Sequence, residues 1–252
     1  MKKTYIIFLL AISLILCGCK NKNELVMVTE AGFAPYEYYE NGKIVGVDIE
    51  VAKEVAKEMN KELVVKDVAL DSIINELKKG KADFAAAGMS ITEERQKQVD
   101  FSVEYATSKQ VVIVKKNSKI KNPEEIYKNT KIGVQLGTVA DIYLTEKVDE
   151  KNIVRQKKYL SLAEDLKANK VGAIVMDSLP AKQIIKQNSN LKILEKELFE
   201  DKYGMAVKKG NPVLMYEGYS ANLLEIVDEL KQQSDCPEDV RKITAENIAI
   251  VN

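Results

Sequence analysis

Three short segments of the 252-residue chain carry the side chains best suited to hold a small charged molecule. The first is Gly88-Met89-Ser90-Ile91-Thr92-Glu93-Glu94-Arg95, the second is Leu136-Gly137-Thr138-Val139, and the third is Asp177. Arg95 offers a rigid planar fork that matches both oxygens of a carboxylate. Gly137-Thr138 reads as a turn and hydroxyl opening a helix, and a helix N-terminus attracts anions. Asp177 offers an isolated carboxylate that favours a cation. An anion site beside a cation site has the shape of a zwitterion. Taken singly, each feature has a plainer reading. Arg95 could be a solvated charge on a polar helix, Thr92 only an N-cap, Gly137-Thr138 only a turn, and Asp177 only the cap of a helix with Pro180 in its first turn. Their shared position argues otherwise. Each follows a buried strand, and open α/β sheets place ligands beyond the C-terminal ends of their strands.

Those strands belong to an alternation of short apolar runs and helical patterns from about residue 25 onward, the signature of an α/β fold with largely parallel sheets. Strands are expected at 25–29, 63–68, 82–87, 111–114, 132–135, 171–176, 191–194 and 203–207. A helix is expected over 48–59, with Ile49, Val51, Ala52, Val55, Ala56 and Met59 on one stripe. Asp71 should cap a helix carrying Ile73, Ile74 and Leu77 that stops at Gly80. Ser161 with Glu164 reads as a capping box. Pro212 should begin a long terminal helix burying Leu223, Leu224, Val227 and Leu230. No repeat and no linker-like segment interrupts the chain, so two lobes would have to be joined by extended strands.

Composition removes whole classes of chemistry. Lys plus Arg and Asp plus Glu are both 38, without the basic excess that nucleic-acid binding needs. There is no His, which excludes imidazole bases, Ser-His-Asp and Cys-His nucleophiles, and His-ligated zinc. No metal and no cofactor is expected. At the N-terminus, Lys2 and Lys3 precede an apolar run over 5–16, shorter than the ~20 residues of a membrane span and suited to a secretory signal. Leu16-Cys17-Gly18-Cys19 resembles the bacterial lipobox, whose signals are cut before an acylated Cys. Residues 1–18 are therefore expected to be a signal peptide, Cys19 the lipidation site, and 19–24 a tether. Two or three acyl chains give stable membrane anchoring. Cys236 would then be the one remaining thiol, so no internal disulfide is expected.

Several ordered motifs resemble the type II periplasmic solute-binding proteins of ABC transporters, in the polar amino-acid-binding subgroup (family 3). They are Gly32-Phe-Ala-Pro-Tyr-Glu-Tyr, Gly42-Lys-Ile-Val-Gly-Val-Asp-Ile, Gly88-Met-Ser-Ile-Thr-Glu-Glu-Arg, Val99-Asp-Phe-Ser-Val-Glu-Tyr, Gly133-Val-Gln-Leu-Gly-Thr and Tyr203-Gly-Met-Ala-Val-Lys-Lys-Gly-Asn. They span roughly residues 25 to 212. The resemblance implies two α/β lobes, 25–106 plus 202–252 and 107–201, joined by strand crossings near 104–109 and 199–203 with a ligand cleft between them. It implies a monomeric extracytoplasmic protein that captures a free amino acid by cleft closure, delivers it to membrane permease subunits, and is not an enzyme. Arg95 would clamp the α-carboxylate from an exposed position in the cleft. Gly88 and Ser90 would contact the ligand from the first lobe, and Thr138 and the Val139 amide from the second. Asp177 would pair the ammonium, and Phe33 would form an aromatic lid. Glu30 and Gln135 stand where the ligand side chain is read. Leu70 departs from the family, many of whose members stack a second aromatic there. If Glu30 reaches the pocket, its charge is left over and a basic side chain is favoured. An extracytoplasmic dehydratase with Glu30 as base, or a detached sensory domain, are the other readings of this fold.

Overall fold

The computed structural model describes residues 23–211. The expected leader, the Cys19 lipidation site, Cys236 and the helix expected from Pro212 lie outside the described residues. The chain runs β1 (Glu24–Thr29), a hairpin of β2 (Tyr38–Glu40) and β3 (Lys43–Val45), α1 (Val47–Glu58) and β4 (Glu62–Asp67). A 3-10 turn at Leu70–Ser72 leads into α2 (Ile73–Lys78), followed by β5 (Phe84–Ala85), α3 (Glu93–Gln96) and β6 (Val99–Phe101). Next come β7 (Ala106–Lys115), β8 (Ile132–Gln135), α4 (Val139–Lys147), β9 (Ile153–Gln156) and α5 (Tyr159–Lys167). The described chain finishes with β10 (Ala173–Asp177), α6 (Ser178–Gln187), β11 (Leu191–Ile193), β12 (Phe199–Tyr203) and β13 (Ala206–Lys208).

Two sheets result, one in each α/β lobe. The first has the order β4-β1-β5-β13-β6 and the second β11-β7-β10-β8-β9, with β12 added along β7. The lobes are joined by β7 and β12, which run antiparallel side by side from Ala106 opposite Tyr203 to Gln110 opposite Phe199. The sheets are mixed, not largely parallel. Parallel pairing holds for β1 with β4 and β5, and for β8 with β9 and β10. A parallel pair needs a crossover, usually a helix. β13 instead arrives directly from the other lobe, and so runs opposite to β5 and β6, between which it inserts.

Local choices follow burial. α1 buries Ile49, Val51, Ala52, Val55 and Ala56 of the expected stripe and adds Val47 at its start, while Met59 falls at the C-cap and is only partly buried. Asp71 does not cap α2, because the 3-10 turn takes its place and Ser72 stands at the N-cap without a side-chain bond. The Ser161–Glu164 capping box does not form either. α5 starts earlier, at Tyr159, and buries Tyr159, Leu162, Ala163 and Leu166. Packing these at helical spacing outweighs a cap worth about 1 kcal/mol. The single strand expected over 203–207 is two, parted at Gly204, where a Cβ would lie 2.9 Å from Ile91 Cδ1.

The second lobe is built on β7, whose Val112, Ile113 and Val114 are fully buried, with Ile113 in register with Ile174 and Ile193. Ile113→Ala is expected to cost about 2–5 kcal/mol in urea denaturation. Leu160→Ala, at a side chain 64% exposed, is expected to stay within about 0.5 kcal/mol of the parent. Equal effects would mean that β7 is not the centre of this core.

Candidate functional site

Where the lobes face each other there is a small, partly open cavity. Glu30, Phe33, Leu70, Gly88, Ser90 and Arg95 line it from one side, and Gln135, Thr138, Val139 and Asp177 from the other. The structure thus brings all ten expected positions to one place. Glu37, Ala87 and Met89 complete the wall.

Arg95 lies on α3, whose first turn is fixed by the Thr92 hydroxyl accepting from the Arg95 amide at 3.2 Å. Its guanidinium is buried, not exposed as expected, with the residue only 7% accessible. The cause is its reach across the cleft. Nη1 donates to the Ser90 carbonyl at 2.7 Å, and Nη2 donates to the Gly137 carbonyl of the opposite lobe at 2.9 Å. Burial lowers its pKa from the usual arginine value, and the charges of Asp201 and Asp177 oppose that shift.

Asp177 ends β10 and stands at the N-cap position of α6, but its carboxylate makes no capping bond. Instead, Oδ1 accepts from Gln110 Nε2 at 2.6 Å and from the Tyr203 hydroxyl. Burial, then repulsion from Asp201, pushes this carboxyl up to about 7. Nearby, the Ser90 hydroxyl donates to Asp201 Oδ2 at 2.5 Å. Thr138 caps α4, accepting from the Asp141 amide at 3.3 Å while donating to the Gln135 carbonyl at 2.8 Å. The first turn of α4 therefore opens onto the cavity at Val139.

Gly88 has φ +49°, and a Cβ there would lie 2.6 Å from Phe33 Cε1, so only glycine lets the ring lie against this backbone. The Gly88 amide donates to Asp48 Oδ2 at 2.9 Å, and Asp48 also accepts from the Tyr105 hydroxyl. Beside it, burial and the Asp48 charge push Glu37 well above the usual carboxylate range. Phe33 stacks at 5.7 Å on Tyr36 and at 6.0 Å on Tyr159 of the other lobe, and Tyr203 meets Tyr36 edge-on at 5.2 Å.

Glu30 enters the cavity wall as expected, but its charge is not left over. Lys158 Nζ pairs with Oε1 from the opposite lobe, and Gln135 Nε2 donates to Oε2 at 3.0 Å. Sequence reasoning missed Lys158 because nothing local marks it; it stands at the N-cap position of α5. It also missed Gln110, Asp201, Glu37 and Tyr203. The last two lie inside quoted motifs and could have been found there. Among the described residues, no group of three or more His, Cys, Asp or Glu is arranged to hold a metal ion.

Fold and cleft together define a two-lobed solute-binding protein with its candidate site between the lobes. The chain belongs to the bacterial extracellular solute-binding proteins, family 3, whose pattern matches residues 25–235. It is 32% identical to the arginine-binding extracellular protein ArtP of Bacillus subtilis, over 69% of this chain and 71% of that one. It is 34% identical to the glutamine-binding protein GlnH of the same organism, over 70% of this chain and 66% of that one. Among solved structures, the arginine-bound truncated ArgBP of T. maritima superposes with a TM-score of 0.75 at 33% identity, over 83% of this chain and 97% of that one. The arginine-, lysine-, histidine-binding ArtJ of Geobacillus stearothermophilus gives 0.76 at 27% identity, over 88% and 96%. These relatives are binding proteins, and members of the family act outside the cytoplasm.

The raised Asp177 value has a defined sign. Its folded pKa of about 7 lies above the usual carboxylate value of 3.8, so its contribution to stability is present below about pH 4 and is lost as pH rises through about 7. Asp177→Asn is expected to remove this slope. Denaturation of both proteins from pH 4 to 8 checks it, and parallel stability curves would contradict the buried, repelled carboxyl.

Proposed function

We propose that this chain is the substrate-binding component of an amino-acid ABC transporter, capturing a free amino acid by cleft closure and handing it to membrane permease subunits. The observation that carries the reading is the burial of Arg95 and Asp177, of opposite charge, in the wall of one cavity between the lobes. Two of the five guanidinium N–H donors of Arg95 serve the Ser90 and Gly137 carbonyls, and the rest are free to grip an α-carboxylate. The Thr138 hydroxyl and the Val139 amide complete the anion site. Asp177 takes the α-ammonium, with Ser90 and the Gly88 carbonyl at the first-lobe wall. Phe33 covers the ligand and Leu70 gives an aliphatic floor. The side chain points to Glu30 and Gln135, which suits a polar residue; with Glu30 already paired by Lys158, the lean toward a basic one rests on the relatives. The names of the relatives, which bind arginine, glutamine and histidine, support that class.

Lobes 25–106 plus 202–252 and 107–201 close because the ligand contacts both, which shifts the population toward the closed state. The protein works as a monomer, held to the outer face of the cytoplasmic membrane or in the periplasm by lipid on Cys19. No cofactor takes part and nothing is turned over. Supporting this, Glu30, the base an enzyme on this fold would use, is tied into an ion pair with Lys158. Among the described residues, no helix is long and apolar enough to cross a membrane.

A thermal-shift screen of the twenty amino acids plus ornithine tests the reading. A cognate ligand at a thousandfold excess over Kd should add about 4 kcal/mol of stability. A flat response to every amino acid would contradict it. Arg95→Lys keeps the charge and loses the fork, so calorimetric titration should show a loss of about tenfold to a hundredfold in affinity, or ~1.5–3 kcal/mol. Arg95→Ala should lose more, and should also destabilise the fold, since it deletes a buried bridge between lobes. Unchanged affinity in Arg95→Ala would remove the carboxylate anchor.

A further inference from the structure

Glu30 follows the end of β1, is 3% exposed, and forms part of the cavity wall. A carboxylate so far out of water needs a partner. Gln135 Nε2 serves one oxygen while also donating to the Lys157 carbonyl at 2.9 Å, and an amide brings no charge. The charge is met by Lys158, which comes from the opposite lobe and also donates to the Ala31 carbonyl at 3.3 Å. Its stem passes over Gly32, where a Cβ would lie 3.8 Å from both Cδ and Nζ. Burial raises the pKa of Glu30, while the Lys158 and Gln135 bonds lower it.

The two partners differ in freedom. The Lys158 side chain is 43% exposed and lies outside the cavity lining, whereas the Glu30 side chain is 4% exposed. Lysine can swing into water and rehydrate its compact ammonium at little cost. Glu30 cannot follow. We propose that Lys158 is a built-in surrogate for a cationic ligand side chain, a competitor for Glu30 that sets how far the cleft prefers basic over neutral polar amino acids. This rests on the amino-acid reading above and adds to it a residue that decides the substrate class. A basic ligand displaces Lys158 outward and takes its place, one cation for another. A neutral polar ligand leaves the pair intact and uses Gln135. Either way Glu30 stays paired, so one cleft accepts both classes, with Lys158 taxing the first and supporting the second.

The test is calorimetric titration of the whole protein with L-arginine and L-glutamine, in the parent and in Lys158→Gln, Lys158→Arg, Glu30→Gln and the Lys158→Gln/Glu30→Gln double variant. Lys158→Gln is expected to tighten arginine and weaken glutamine, moving the ratio of their affinities by about tenfold or more. Lys158→Arg should restore the parent ratio. In the Glu30→Gln background, removing Lys158 should no longer move it. A ratio unchanged in Lys158→Gln, or equal weakening of both ligands as from the loss of a simple strut between lobes, overturns the proposal while leaving amino-acid capture standing. A parent protein that binds no amino acid in the wider screen overturns both. Thermal melts of each variant confirm that it is folded.

Discussion

A guanidinium removed from water needs acceptors in its own plane and negative charge within reach, and both needs constrain what surrounds it. Arg95 meets the first with the carbonyls of Ser90 and Gly137, which belong to opposite lobes. It meets the second with Asp201 and Asp177, whose charges act on it from the crossing strand β12 and from the end of β10. One side chain therefore ties the approach of the lobes to the charge balance of the cavity. Under the proposed reading, a ligand carboxylate engaging the remaining donors would add to this bridge between the lobes.

The two strands that join the lobes also hold the site. Gln110 of β7 and Tyr203 of β12 both donate to Asp177, and Asp201 of β12 accepts from Ser90. The same end of β12 is stitched to the first lobe, with the Ile91 amide donating to the Lys202 carbonyl and the Gly204 amide to the Met89 carbonyl. The strands that cross between the lobes therefore share a hydrogen-bonded network with the candidate site. The stack of Phe33, Tyr36 and Tyr159 adds an apolar contact between the lobes. In the proposed mechanism this shared network is what would let occupation of a small cavity be felt by whole lobes.

Much of this was legible in the sequence, for identifiable reasons. α1 and the buried strands showed because one-sided burial imposes a period that survives in the pattern. Thr92, Thr138 and Arg95 showed because strand ends and caps have local chemistry. What stayed hidden depends on distant packing. The first sheet is mixed because of where β13 inserts and the second because β7 runs antiparallel to β10, β11 and β12, and nothing in Ala206–Lys208 announces its neighbours. The start of α5 is set by the burial of Tyr159, not by the Ser161 cap. Lys158 looks like any solvated lysine until the fold brings it to Glu30, 128 positions away in the chain. The burial of Arg95 was missed for the same reason, since its acceptor on Gly137 lies in the other lobe.

If Arg95 and Asp177 are the two poles of a zwitterion site, a crystal structure of the protein grown with a saturating amino acid from the screen will show it. The ligand should lie in the cavity between the lobes, its α-carboxylate forked on the Arg95 guanidinium near Thr138 and Val139, and its α-ammonium within hydrogen-bond distance of Asp177. A ligand bound in the reverse orientation, or seated elsewhere while Arg95 keeps only the Ser90 and Gly137 carbonyls, would contradict it.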